Sequence, residues 1–199
     1  MSFESKLTLK NCVIDGGLRK KKIFKKNESN FPLITVITAV LNGERHLEEA
    51  IKSLHKQNYR NIEHIIIDGC STDNTINIIK KYEHKIDYWC QVKDKGIYDA
   101  FNIGMQLSNG SYLGFLNSDD VYSPNAFDIL TSYLKKYPEK DFIFGSVQKH
   151  WGVLHGYKPL KINWSATILL LSLIIIYEYL KKKIFFNLSA QFGAMKSKF

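Results

Sequence analysis

Apolar and polar positions alternate between two periods along the middle of the chain, and the switches between them mark the elements. Leu33–Thr38 (LITVIT) is a short β-branched run and predicts a buried strand, which Asn42-Gly43 ends. Leu47, Ala50, Ile51 and Leu54 then recur at the spacing of one helix face. Ile62–Ile67 predicts a second strand closing at Asp68-Gly69. A helix follows, capped by Thr72 or Asp73, with Ile76, Ile79 and Tyr82 on one side. Ile86–Gln91 predicts a third strand, Lys95-Gly96 a turn and Tyr98–Leu107 a third helix. Ser111–Leu116 predicts a fourth strand, and Ser123-Pro124 the start of a fourth helix, cap residue and then proline. Asp141–Phe144 and Val147–Val153 read as further strands. Four alternations of strand and helix predict an α/β sandwich with a mostly parallel sheet.

Parallel sheets bind ligands beyond the carboxyl ends of their strands. The polar residues gather there: Thr38–Asn42 after the first strand, Asp68 after the second, Asp94-Lys95 after the third, Asp119-Asp120 after the fourth. Adjacent carboxylates repel unless a cation or solvent compensates them, and Mg²⁺ or Mn²⁺ suits all-oxygen ligands. Taken alone, Asp119-Asp120 fits a metal pair and a solvated turn equally well. GxGxxG after a strand and GxxxxGK[ST] are both missing, so the phosphate cradles of dehydrogenases and P-loop proteins are excluded.

The stretches TVITAVLNGERHLEEAIKSL, NIEHIIIDGCSTDNT, DYWCQVKDKGIYDAFNIG and GSYLGFLNSDDVY resemble, in order and spacing, family 2 glycosyltransferases of the bacterial polysaccharide type. The resemblance implies a GT-A, Rossmann-like three-layer sandwich that moves a sugar from a nucleoside-diphosphate sugar, with UDP the expected nucleotide, to a glycan or lipid-linked acceptor. The implied mechanism is metal-assisted and inverting. By the same resemblance Thr38, Val40, Asn42, Asp68, Lys95, Asn102 and Asp119 bind the nucleotide and Asp120 binds Mn²⁺ or Mg²⁺. Asp68 takes the base, Asp119 lies near the ribose, and Asp73 braces its loop and caps the helix. Cys70 and Asn74 stand where many relatives have glycine; Asn74 tolerates a left-handed backbone, and Cys70 reads as a small packed residue. The general base is unassigned, although Asp128, Glu139 and Asp141 are the nearest acids beyond the metal pair.

Charge divides the chain. Residues 1–30 hold eight Lys/Arg against three Asp/Glu, residues 159–199 six against one, and the middle fourteen against fifteen. The basic excess belongs to the ends, which argues against nucleic acid as a partner of the central region. The expected organisation is a basic arm over 1–30, solvated or touching anionic lipid, a nucleotide-sugar domain over 31–158, and an atypical apolar and basic tail over 159–199. Within that tail Ala166–Tyr177 is too short for a span and reads as a buried or interfacial helix. The tail resembles nothing in the family and has the look of a truncated or altered end. The alternative function is therefore a relative that binds nucleotide without the acceptor half and catalytic base. Met1–Lys10 has no apolar core and predicts no signal peptide; the expected place is the cytoplasm, with peripheral contact on the inner face of the plasma membrane. Cys12, Cys70 and Cys90 show no ligand spacing. The histidines read as surface or satisfied positions, and the tryptophans as core or rim.

Overall fold

The computed structural model describes residues 12–138, 142–144 and 183–186. The uncharged run after Pro32 becomes β2 (Ile34–Val40), every residue buried, and Ile62–Asp68 becomes β3, likewise buried throughout. Together with β4 (Tyr88–Val92) and β5 (Tyr112–Phe115) they form a parallel core, with Ile34 registered on Ile62 and on Tyr112. The whole sheet runs β1-β4-β3-β2-β5-β7-β6, where β1 is Cys12–Gly16, β6 Phe142–Phe144 and β7 Lys183–Phe186. This is the α/β sandwich with a mostly parallel sheet that the sequence led us to expect.

Helices α1 (Leu47–His55), α2 (Thr75–Lys81) and α4 (Ala126–Lys136) cover one face of the sheet, and α3 (Ile97–Leu107) covers the other. α1 buries Leu47, Ala50, Ile51 and Leu54, the residues its periodicity picks out. α3 lies close on β2 because Gly104 carries no side chain; a Cβ there would stand 2.3 Å from Ile37 Cγ2. α2 turns a little from its expected face, burying Thr75, Ile78 and Ile79 while Ile76 and Tyr82 pack at the rim. Trp89 is core, its Nε1–H donating to Glu83.

Three expectations need correction. Residues 12–30 are not a solvated arm. Cys12–Gly16 pairs antiparallel with β4, and the chain then belts the amino ends of the strands, where burial leaves acids that need counter-charges. Glu63 is one: Arg19 pairs with it at 2.5 Å, both side chains buried, and Thr35 and Asn109 donate to it as well. Burial alone would raise the Glu63 carboxyl, but the Arg19 charge and these hydrogen bonds hold it below its ordinary value. Asp87 is the other, 2.9 Å from Lys25, whose ammonium also donates to the Ile62 carbonyl.

The helix start expected at Ser123-Pro124 comes later, at Ala126. Asn125 adopts a left-handed backbone, φ 62°, and breaks the run; Gln57, not Ser123, accepts the Phe127 amide. The boundary at 158 also fails as the edge of the sheet, since β7 lies parallel between β5 and β6. Val147–Val153, Ala166–Tyr177, Trp151 and Trp164 lie outside the described residues. Among the described residues no helix is long and apolar enough to cross a membrane.

Candidate functional site

The chain steps from β2 outward to β3 and β4, then returns across the other face through α3 to set β5 on the opposite side of β2. Strand order therefore reverses between β2 and β5, and a crevice opens at their carboxyl ends, the usual ligand position in such sheets. Loops from β2, β3, β4 and β5 all reach that edge.

The loop after β2 is fastened to the loop after β3. Asn42, left-handed at φ 53°, donates its amide to Ser71 Oγ at 2.8 Å and accepts the Thr72 amide on Oδ1 at 2.9 Å. Gly43 donates to Thr75 Oγ1, and Glu44 donates to Asp73, whose other oxygen takes the Thr75 amide and hydroxyl. Asp73 thus braces the loop and holds the first turn of α2, as its place in the sequence suggested. The left-handed burden falls on Cys70, φ 66°, rather than on Asn74 at −78°.

Asp68, to which the resemblance gives the base contact, has a structural task of its own. It is wholly buried; one oxygen accepts the Ser71 hydroxyl, and the other accepts the Ser71 amide at 3.0 Å and Gln91 Nε2 at 2.9 Å. These bonds let Asp68 position Ser71 and the loop. The Thr38 and Val40 side chains also turn inward. β2 continues to Val40, so the Thr38 hydroxyl points into the interior at 3.1 Å from His64 Nε2, and Val40 packs between α1 and α2. His64 in turn meets His55 at 3.2 Å, and burial holds both imidazoles below their ordinary pKa, His55 at about 4. These histidines are satisfied core groups.

Of the expected contacts on the β2 side, Leu41 and Asn42 face solvent. Lys95 is exposed between β4 and α3, its amide donating to Asp99, and Asn102 is half-buried on the second turn of α3. Asp94, placed with Lys95 at the third strand end but given no role, stands nearer the edge: its Oδ2 lies against Gly69, where a Cβ would approach it to 3.0 Å, and its Oδ1 accepts the Gly96 amide. Gln91 was missed as well, although one polar residue near the end of an otherwise apolar strand is the signal that could have found it.

The loop after β5 closes the crevice. Ser118 lies against Gly43, so the loop that carries the Asp pair meets the loop after β2. Asp119 is exposed. Asp120 is half-buried, donates its amide to the Asn117 carbonyl, and accepts Asn117 Nδ2 at 3.2 Å. Burial and the neighbouring Asp119 charge push the Asp120 carboxyl up to about 6. The Tyr122 phenol behind it is pushed up by its own burial and by Asp120. Two adjacent carboxylates, one half-buried and one exposed, offer oxygen-only donors that fit a hard divalent cation. Among the described residues no group of three or more His, Cys, Asp or Glu gathers to hold a metal unaided. Asp128, one of the acids considered as a base, hydrogen-bonds Asn58 beyond the end of α1, away from this edge; Glu139 and Asp141 lie outside the described residues.

Residues 35–199 match the model of the family described as Glycosyl transferase family 2, running past residue 158. An uncharacterised glycosyltransferase of Rickettsia typhi is 36% identical over 118 residues, 59% of this chain and 37% of that protein. One from Haemophilus influenzae is 39% identical over 130 residues, 64% of this chain and 47% of that protein. The chain thus spans less than half the length of these relatives. Among solved structures, S. aureus TarS 1-349 in complex with UDP-GlcNAc superposes with TM-score 0.56 at 22% identity, covering 62% of this chain and 37% of that one. Mannosyltransferase PcManGT from Pyrobaculum calidifontis, in complex with GDP-Man and Mn²⁺, gives 0.53 at 16% identity, covering 74% and 41%.

Proposed function

Because the chain belongs to glycosyl transferase family 2, we propose that it moves a sugar from a nucleoside-diphosphate sugar, UDP being the expected carrier, to a glycan or lipid-linked acceptor with inversion. The observation that carries the reading is the Asp119-Asp120 pair just beyond β5, where strand order reverses and its loop packs on Gly43. The UDP-GlcNAc and GDP-Man complexes of proteins with this fold support a nucleotide sugar at that edge.

Asp120, with Asp119 beside it, would hold Mn²⁺ or Mg²⁺, leaving the other ligand positions to diphosphate oxygens and water. The bound ion supplies Lewis-acid neutralisation of the charge that develops on the leaving diphosphate. The chain's own residues do the positioning. Asn42 and Leu41 present the β2 side of the crevice, and Asp94 flanks it from β4. Asp68, through Ser71, fixes the Asn42 backbone against which a nucleotide would rest.

The test is thermal stability of the purified chain with UDP, TDP and GDP, with and without Mn²⁺. A nucleotide at one hundred times its dissociation constant adds about 2.7 kcal/mol, and Asp120→Ala is expected to lose the metal-dependent part. If no nucleoside diphosphate responds to Mn²⁺ or Mg²⁺, the proposal is wrong.

A further inference from the structure

Cys12 and Cys90 are far apart in the chain and no sequence spacing links them, yet the β1–β4 ladder places them on paired strands. Cys12 registers on Val92, two residues from Cys90, and a register shift between Cys12 and Ile14 bends the strand at that point. Cys12 packs, partly buried, against the core cluster that contains the fully buried Cys90. Cys12 Sγ donates to the Ile14 carbonyl at 3.0 Å.

We infer that Cys12 and Cys90 are a latent cross-strand pair that a low-molecular-weight disulfide closes, fastening the amino-terminal strand to β4. Cys12 and Cys90 sit two ladder positions apart on paired strands, and β1, an edge strand among the described residues, is the element that would shift to close the bond. The half-exposed Cys12 meets the oxidant. Its thiolate attacks one sulfur of glutathione disulfide and expels one glutathione thiolate; the Cys90 thiolate then attacks the Cys12 sulfur and expels the second. Two electrons pass from the protein thiols to the oxidant, and their two protons end on two molecules of glutathione. Burial raises both thiols, and the Asp15 charge adds to this, so closure is slow near neutrality and quickens as pH rises. The bond would secure the segment that carries Arg19 and Lys25 to the buried acids Glu63 and Asp87. The inference is independent of the glycosyl-transfer reading.

The experiment incubates the native 199-residue protein with glutathione disulfide at pH 7 and pH 8.5, blocks free thiols, and maps the peptides without reduction. The expected product is two mass units lighter and contains a Cys12–Cys90 peptide. It should form at least several-fold faster at the higher pH, persist in Cys70→Ser and vanish in Cys12→Ser and Cys90→Ser. Because Cys90→Ser disturbs the core, Cys12→Ser, at a half-exposed position, is the deciding variant. Glutathione left on Cys12, a disulfide that includes Cys70, or three free thiols after prolonged oxidation would each overturn the inference.

Discussion

Replacing Asp120 with asparagine should make the ligand-free protein more stable while removing its response to metal and nucleotide. The folded state raises the Asp120 carboxyl from 3.8 to about 6, so it binds that proton more tightly than the unfolded chain does. Stability from this group is therefore fully present below about pH 4 and is lost as pH rises through about 6. The ceiling on the loss is about 3 kcal/mol. Asp120 keeps part of its surface in water, and screening reduces the expected value to about 1–2 kcal/mol. The substituted amide would retain the shape and an acceptor for Asn117 without the charge. Urea titrations in EDTA at several pH values between 4 and 8 measure the difference. Asp120→Asn is expected to equal the parent near pH 4 and exceed it by about 1–2 kcal/mol at pH 7, a melting rise of roughly 2–8 °C for a chain of this size. A variant no more stable than the parent at pH 7, or a gap that fails to narrow toward pH 4, refutes the idea that Asp120 is held at a cost.

Three other substitutions probe the frame around the site. Arg19→Met strips the counter-charge from buried Glu63 and should cost about 3–5 kcal/mol in urea unfolding, much of it recovered in Arg19→Met/Glu63→Gln. Cys70→Gly relieves a left-handed backbone at φ 66° and should add about 1 kcal/mol, seen as a higher melting temperature. Gly104→Ala drives a methyl to 2.3 Å from Ile37 Cγ2 and should cost about 1–3 kcal/mol, with α3 lifted from β2 and its amides losing hydrogen-exchange protection first.

How much of this was legible in the sequence depended on range. The buried parallel strands and the strand-end loops were, because β-branched runs and turn residues are local signals. Side-chain direction at a strand end was not. The difference between Thr38 facing a ligand and Thr38 facing His64 depends on whether the strand stops at residue 38 or at Val40, and only pairing with Asp68 decides that. The amino-terminal belt was hidden for a related reason. Arg19 and Lys25 look like members of a solvated lysine run until β3 and β4 place Glu63 and Asp87 beneath them. Summing charge by segment parted each cation from its anion, making the ends look basic and the middle balanced. Asn125 shows the limit of local rules: Ser123-Pro124 is a good helix opening, overridden by a tertiary bond to Gln57.

β7 comes late in the chain, yet it lies between β5 and β6 and pairs in parallel with both. During synthesis, then, the strand leading to the Asp pair waits with one side unpaired until Lys183–Phe186 has emerged. A nascent chain halted earlier would present β5 as an open template to other chains. Premature termination would thus be a hazard of aggregation before it was a loss of catalysis.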